Sequence, residues 1–373
     1  MGVPITTTVP SLSLLPIRGP LAYSDAQAFP VLTKAYLQLS QQVRETGLLR
    51  RTPWFYALVG GVLAIGIAGC AALSVLLGPS WFQLLIAAAL GILFTQVAFL
   101  AHEAGHRQIL AGGPANDVLA RFLGAVAGLS YSWWDSKHSR HHANPNKVGR
   151  DPDIEVDTIS FLHVDAAKAR GIRALITRRQ GWLFFPLLTL EGLNLHYLSL
   201  RHLLSPGPVK GRRVELGLLA LRYSAVLLPL FLLLPPGMAL AFLGVQLGVF
   251  GLYMGATFAP NHKGMPVIDR DAKLDFFSKQ VRTSRNISGG WWATWLMGGL
   301  NYQVEHHLFP SMPRPHLAKA RRLVREQCTR LSVPYTETSI WSSYGTVITY
   351  LNRVGLAARD PFECPMTAQY RRR

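Results

Sequence analysis

The chain has 373 residues, of which 49% are hydrophobic and only 16% charged, with nine Trp and seventeen Phe. So little charge disfavours a pair of soluble domains of this length and favours a membrane protein. A net charge of +18 invites a nucleic-acid reading, but no recognition module accompanies it and nucleic acid is not an expected partner; the scattered Cys70, Cys328 and Cys364 suit neither a disulfide framework nor a cysteine metal site.

Residues 1–50 carry Pro4, Pro10, Pro16, Pro20 and Pro30 and lack the basic start and short apolar core of a cleavable signal peptide. The first 20 or so are expected to be mobile, and residues 31–51 to form an amphipathic helix lying along a membrane. Hydrophobic spans follow near 54–77, 81–101, 214–235 and 237–259, each long enough to cross an apolar layer of ~30 Å. Segments 115–134 and 181–204 are apolar but interrupted by Arg121, Glu191, Asn194, His196 and Arg201, and read as interfacial or partly buried helices.

Arg and Lys number 5 before the first span, 15 between the second and third and 17 after the fourth, leaving only Arg222 inside the third. By the positive-inside rule both termini and the middle loop face the cytoplasm. The excess would also attract anionic lipid headgroups or acidic partners. The expected fold is all-α: a polytopic membrane protein with four transmembrane helices and a cytoplasmic helical cap. It divides into an N-terminal cytoplasmic segment (1–52), a membrane domain (53–330) and a C-terminal cytoplasmic tail (331–373).

Eight of the twelve histidines sit beside these spans. They read His102-Glu103-Ala104-Gly105-His106, His138-Ser139-Arg140-His141-His142 and Gln303-Val304-Glu305-His306-His307, with His262 alone at the end of the fourth span. On a helix, residues at i, i+3 and i+4 share a face, so each cluster can aim two or three imidazoles at one point. That is too many ligands for one four-coordinate zinc and suits a two-metal, nitrogen-rich centre. With four spans, all four histidine groups fall on one side of the membrane. Imidazole alone does not choose among Zn, Cu, Fe and Ni. His163, His196, His202 and His316 read as ordinary interfacial residues, although His196, near Asn194 and Glu191, is a candidate to support a ligand.

His102-Glu103-x-x-His106 also spells the H-E-x-x-H of zinc peptidases, with Glu103 as general base. That reading leaves six histidines without a task. A histidine-rich metal transporter would place ligands inside the spans rather than at their ends.

The boxes HxxxH, HxxHH and QxEHH, in this order around four spans, resemble the membrane fatty acid desaturases, and in particular their acyl-lipid/acyl-CoA branch. The strings Leu129-Ser130-Tyr131-Ser132-Trp133-Trp134, His141-His142-Ala143-Asn144-Pro145-Asn146, Asp151-Pro152-Asp153 and Asn301-Tyr302-Gln303-Val304-Glu305-His306-His307-Leu308-Phe309-Pro310 are similar to bacterial members of that branch. The resemblance covers roughly residues 50–330. It implies a di-iron centre that uses O2 and two external electrons to remove two hydrogens from a fatty acyl chain carried by CoA or phospholipid. The iron ligands it implies are His102, His106, His138, His141, His142, His306 and His307, with His262 as the eighth. Gln303 stands where another branch has histidine, and Glu103, Asp151, Asp153 and Glu305 are candidates to hold the ligating rings.

Relatives with a QxEHH box often carry a fused haem domain containing His-Pro-Gly-Gly, and this sequence has no such segment. Electrons are therefore expected from a separate ferredoxin, cytochrome or flavin reductase. The implied location is a bacterial inner membrane with the active site on the cytoplasmic face. A hydroxylase of the same superfamily, acting on an alkyl chain, sterol or carotenoid, is the nearest alternative.

Overall fold

Where the apolar runs are longest the backbone has no water to bond to, so each closes its hydrogen bonds internally as one continuous helix. The computed structural model describes residues 28–358; the stretch expected to be mobile at the N-terminus, and Cys364, lie outside them. In chain order the helices are α1 (Ala28–Glu45), α2 (Pro53–Leu77), α3 (Gln83–Gly105), α4 (Gly113–Ala127), α5 (Tyr131–Ala143), α6 (His163–Ala167), α7 (Gly171–Thr177) and α8 (Gln180–Leu204), followed by α9 (Arg212–Leu233), α10 (Pro236–His262), α11 (Phe276–Thr283), α12 (Gly290–Leu296), α13 (Gln303–Leu308), α14 (Arg314–Arg330) and α15 (Ile340–Leu356). A small parallel sheet pairs β1 (Asn286–Ser288) with β2 (Glu337–Ser339).

Among the described residues α2, α3, α9 and α10 are the helices long and apolar enough to cross a membrane. Two of them overrun the apolar segments read from the sequence: α3 continues to Gly105 and α10 to His262, so His102 and His262 ride on the last turns of spans. At the opposite end, Ala87 of α3 packs with Leu230 and Leu234 at the end of α9 and Met238, Ala239 and Phe242 at the start of α10.

The two ambiguous segments become α4 and α8. With 15 residues α4 reaches only about 22 Å, while α8 is long enough but not apolar enough to count as a span. It lies on α10 with the two backbones touching. A Cβ on Gly192 would stand 2.1 Å from the carbonyl oxygen of Leu247, and one on Gly251 2.2 Å from the amide nitrogen of Gly192. Only glycine permits that approach.

Over the histidine-bearing ends sits a cap. Leu32, Leu39 and Val43 of α1 share a core with Phe277 and Val281 of α11, Val304 and Leu308 of α13, and Leu317, Ala320 and Val324 of α14. The helix expected along the membrane at 31–51 thus forms as α1, stops at Glu45 and turns its apolar stripe into this core. Residues beyond 330, read from the sequence as a tail, include β2 and α15. Val347 and Leu351 of α15 pack with Phe184 and Leu188 of α8 and Ala259 of α10.

Candidate metal centre

The eight singled-out histidines converge in two adjacent groups. His102, His106, His138, His142 and His306 form one; His141, His262 and His307 form the other; within each group the ring nitrogens lie within 4.8 Å of one another. Only the first sequence cluster keeps its rings together. Adjacent residues on a helix are turned by about 100°, so α5 sends His138 and His142 to the larger group and His141 to the smaller, and α13 splits His306 from His307 in the same way. Two rings of each of the first two clusters thus meet at one point while the third cluster is divided, so that α5 and α13 stand between two points and feed both.

Local chemistry sets α5 in place. Ser130 caps its N-terminus by accepting from the Trp133 amide. The buried Glu215 of α9 accepts hydrogen bonds from the Ser130 hydroxyl (2.6 Å), the Ser132 amide (3.2 Å) and the Ser132 hydroxyl, and pairs with Arg121 at 3.2 Å. A carboxylate at a helix N-terminus meets unpaired N–H groups and the positive end of the helix dipole. Trp134 then stacks on His138 with ring centroids 4.5 Å apart and meets His102 and His106 edge-on.

In the smaller group every ring is oriented from behind. His141 Nδ1 donates to Asp151 at 3.0 Å, His262 Nδ1 to the carbonyl of Thr283 at 2.9 Å, and His307 Nδ1 to Gln280 Oε1 at 2.9 Å. Each bond places the proton on Nδ1 and leaves the Nε2 lone pair facing inward. His307 Nε2, like His306 Nε2 in the larger group, is buried with no hydrogen-bond partner. Burying such acceptors unpaired is costly, and a transition metal resolves the cost. In the larger group the Nε2 atoms of His102, His106 and His142 each lie 2.9–3.1 Å from His138 Nε2. Neutral imidazoles crowded round a point, their lone pairs aimed inward, are a donor set that fits Fe, Zn, Cu or Ni.

Electrostatics favour the neutral state. Burial, and then the neighbouring rings, hold His106, His138, His142, His306 and His307 well below the usual imidazole range. His141 is the exception. Burial opposes its charge, but Asp153 and Asp151 outweigh it and make this ring a stronger base.

The candidate supporting acids divide. Asp151 and Asp153 both face His141 Nδ1, the latter at 3.4 Å, and Asp153 also holds Lys137 at 3.0 Å. Glu103 points elsewhere: its carboxylate takes a two-pronged hydrogen bond from Arg314 at 2.5 and 2.7 Å, with Tyr56 at 3.4 Å, which leaves it unplaced for the general-base role of H-E-x-x-H. Glu305 bonds Asn286 and Tyr335, and burial pushes its carboxyl up to about 7. Gln303 donates from Nε2 to His262 Nε2 at 2.9 Å, beside the smaller group. His196 bonds the Gly192 carbonyl and packs on Tyr223 and Phe250, so it supports α8 rather than a ligand. His316 bonds the carbonyl of Leu48.

Sequence reasoning missed Gln280, Thr283 and Glu215. Neither Gln280 nor Thr283 belongs to a motif. Glu215, an acid at the head of a span, was legible as a costly group in need of a partner.

The sequence profile of the family described as "Fatty acid desaturase" matches residues 79–339. The chain is 30% identical over 301 residues to a Delta(8)-fatty-acid desaturase of Helianthus annuus, covering 76% of this chain and 65% of that protein. It is 29% identical to an Acyl-lipid (9-3)-desaturase of Borago officinalis, covering 73% and 63%, and 28% identical to a Delta 8-(E)-sphingolipid desaturase of Kluyveromyces lactis, covering 78% and 54%. The chain thus spans between about half and two thirds of the length of these three relatives. With the profile covering well over half of its residues, the chain belongs to the fatty acid desaturase family.

Proposed function

We propose that the chain carries out O2-dependent desaturation of a fatty acyl chain at a di-iron centre. The observation that carries this reading is the convergence of eight histidines into groups of five and three. The five-ring group would hold one iron and His141, His262 and His307 the other, with Gln303 beside the second. One CH2–CH2 unit, O2, two electrons and two protons give one CH=CH and two waters; bound iron supplies the redox chemistry by which O2 takes up two electrons from the substrate and two from outside.

The protein's own part is position. Asp151, Gln280 and the Thr283 carbonyl hold three rings in one tautomer and orientation, so the centre is assembled before substrate arrives. Relatives named for acyl-lipid and sphingolipid substrates support a membrane lipid as the acyl carrier, and acyl-CoA is the second carrier to test. Positive-inside charge supports a centre on the cytoplasmic face, where the basic surface would steer an acidic ferredoxin, cytochrome or flavin reductase. A bacterial inner membrane is proposed from the motif strings alone, since the relatives named above are from plants and a yeast. We assign the desaturase unit to residues 53–356, because α15 is packed into it.

Lipid profiling of a host that expresses the chain with a working reductase tests the proposal. A new unsaturated acyl species, absent with His142→Ala, is the expected result. A hydroxylated product would favour the superfamily hydroxylase, and an unchanged lipid profile would sink both.

A further inference from the structure

Between His262 and the third histidine cluster the chain forms α12, Gly-Trp-Trp-Ala-Thr-Trp-Leu. Its large side chains face outward: Trp291 is 78% exposed, Trp295 47%, Trp292 43% and Leu296 42%. In water so much apolar surface on seven residues would be unfavourable at about 25 cal/mol per Å2.

Separate contacts set the level at which this helix sits. The carbonyl of Trp295 accepts from Gln96 Nε2 of α3 at 3.1 Å, and that of Leu296 accepts from the Tyr253 hydroxyl of α10 at 2.6 Å. Carbonyls in the last turn of a helix have no partner within it, and in hydrocarbon they must find one; the Trp295 carbonyl also takes the Gly298 amide at 3.4 Å, and side chains from two membrane spans complete the pair. The apolar runs of α3 and α10 continue to Ala101 and Ala259, which puts Gln96 and Tyr253 about 7–9 Å inside their edges. Interfacial helices reach that depth. The Trp295 ring also lies 6.3 Å from Phe55, in the first turn of α2, where that span begins.

The backbone is built for a dip and return. Gly289, Gly290, Gly298 and Gly299 bracket α12 with φ of +151°, +64°, +57° and +84°. A Cβ on Gly298 would stand 2.5 Å from the Phe99 ring of α3, so the returning strand of chain presses on that span. The parallel pairing of Ser288 with Ser339 brings the start of α15 beside the start of α12; there Trp341 is 78% exposed, and Tyr344 ties α15 to the Ala256 carbonyl of α10 at 2.9 Å.

We propose that α12, with Trp341 beside it, is a membrane-seated tryptophan anchor. It enters the boundary between lipid headgroups and acyl chains and holds the segment leading to Gln303, His306 and His307 at lipid level. Its surface is continuous with α2, α3 and α10, which commits it to phospholipid as occupant. The inference needs only that those helices cross a bilayer. It involves no iron, substrate or electron donor, so it stands or falls apart from the proposed activity.

The test reconstitutes the full chain in phosphatidylcholine vesicles and compares it with a variant carrying Trp291→Phe, Trp292→Phe and Trp295→Phe. The difference in emission reports α12 alone. Lipid brominated near the top of its acyl chains should quench that difference by about twofold or more, while dissolved iodide should change it by less than about a tenth. Trp291→Phe alone gives the same reading at smaller amplitude should the triple variant not fold. Quenching by iodide and not by brominated lipid, as a water-facing or protein-docking patch would give, overturns the proposal.

Discussion

Five histidines face one another in one half of the centre and three in the other, and the halves differ most in what stands behind the rings. In the five-ring half His106, His138 and His142 are partly open to solvent, the Nε2 atoms of His102, His106 and His142 crowd His138 Nε2, and Trp134 provides the backing. In the three-ring half every ring is buried and each is held through Nδ1 by a different residue. The larger half relies on number and packing, the smaller on hydrogen-bonded orientation. A surplus of donors tolerates loosely held rings; a set of three does not.

That contrast can be broken most directly by removing one ring from each half. His262→Ala leaves two rings in the smaller half, and metal content should fall from about two ions to about one per chain, with activity lost. His106→Ala leaves four and should retain about two ions. Equal losses in both variants would erase the distinction. Next in size, Trp134→Ala should lower stability by about 3 kcal/mol, the low end for a large aromatic because the ring is only partly buried, with melting of the purified protein as the readout.

Smaller effects sharpen the picture. Asp151→Asn should weaken the metal of the smaller half by roughly 10–100-fold and leave the other unchanged, and Gln280→Leu should do the same through His307. Chelator titration, which removes the two ions at separate concentrations, resolves this. Gln303→Leu should have the least effect, a change of less than about a few-fold, because the Thr283 carbonyl still orients His262 and Gln303 touches only the Nε2 that a metal would take.

Much of this was legible in the sequence because the physics is local. Apolar runs longer than a bilayer is thick mark α2, α3, α9 and α10, and the i, i+4 spacing of His102 and His106 survives intact. What was not legible depends on distant partners. Glu103 looked like a supporting acid or a peptidase base, yet it pairs with Arg314 from far along the chain. Gln280 and Thr283 carry no motif, since a single hydrogen bond to a ring leaves no periodic trace. The division of His141 from His142, and of His306 from His307, required knowing that a second point existed on the other side of α5 and α13. Exposed tryptophans in α12 are ordinary by composition; only the bonds to Gln96 and Tyr253 reveal their depth.

Elemental analysis of natively purified protein tests the central claim most directly. The two-half centre predicts about two irons per chain, falling to about one with His262→Ala. About one zinc and no iron in the parent chain would contradict it.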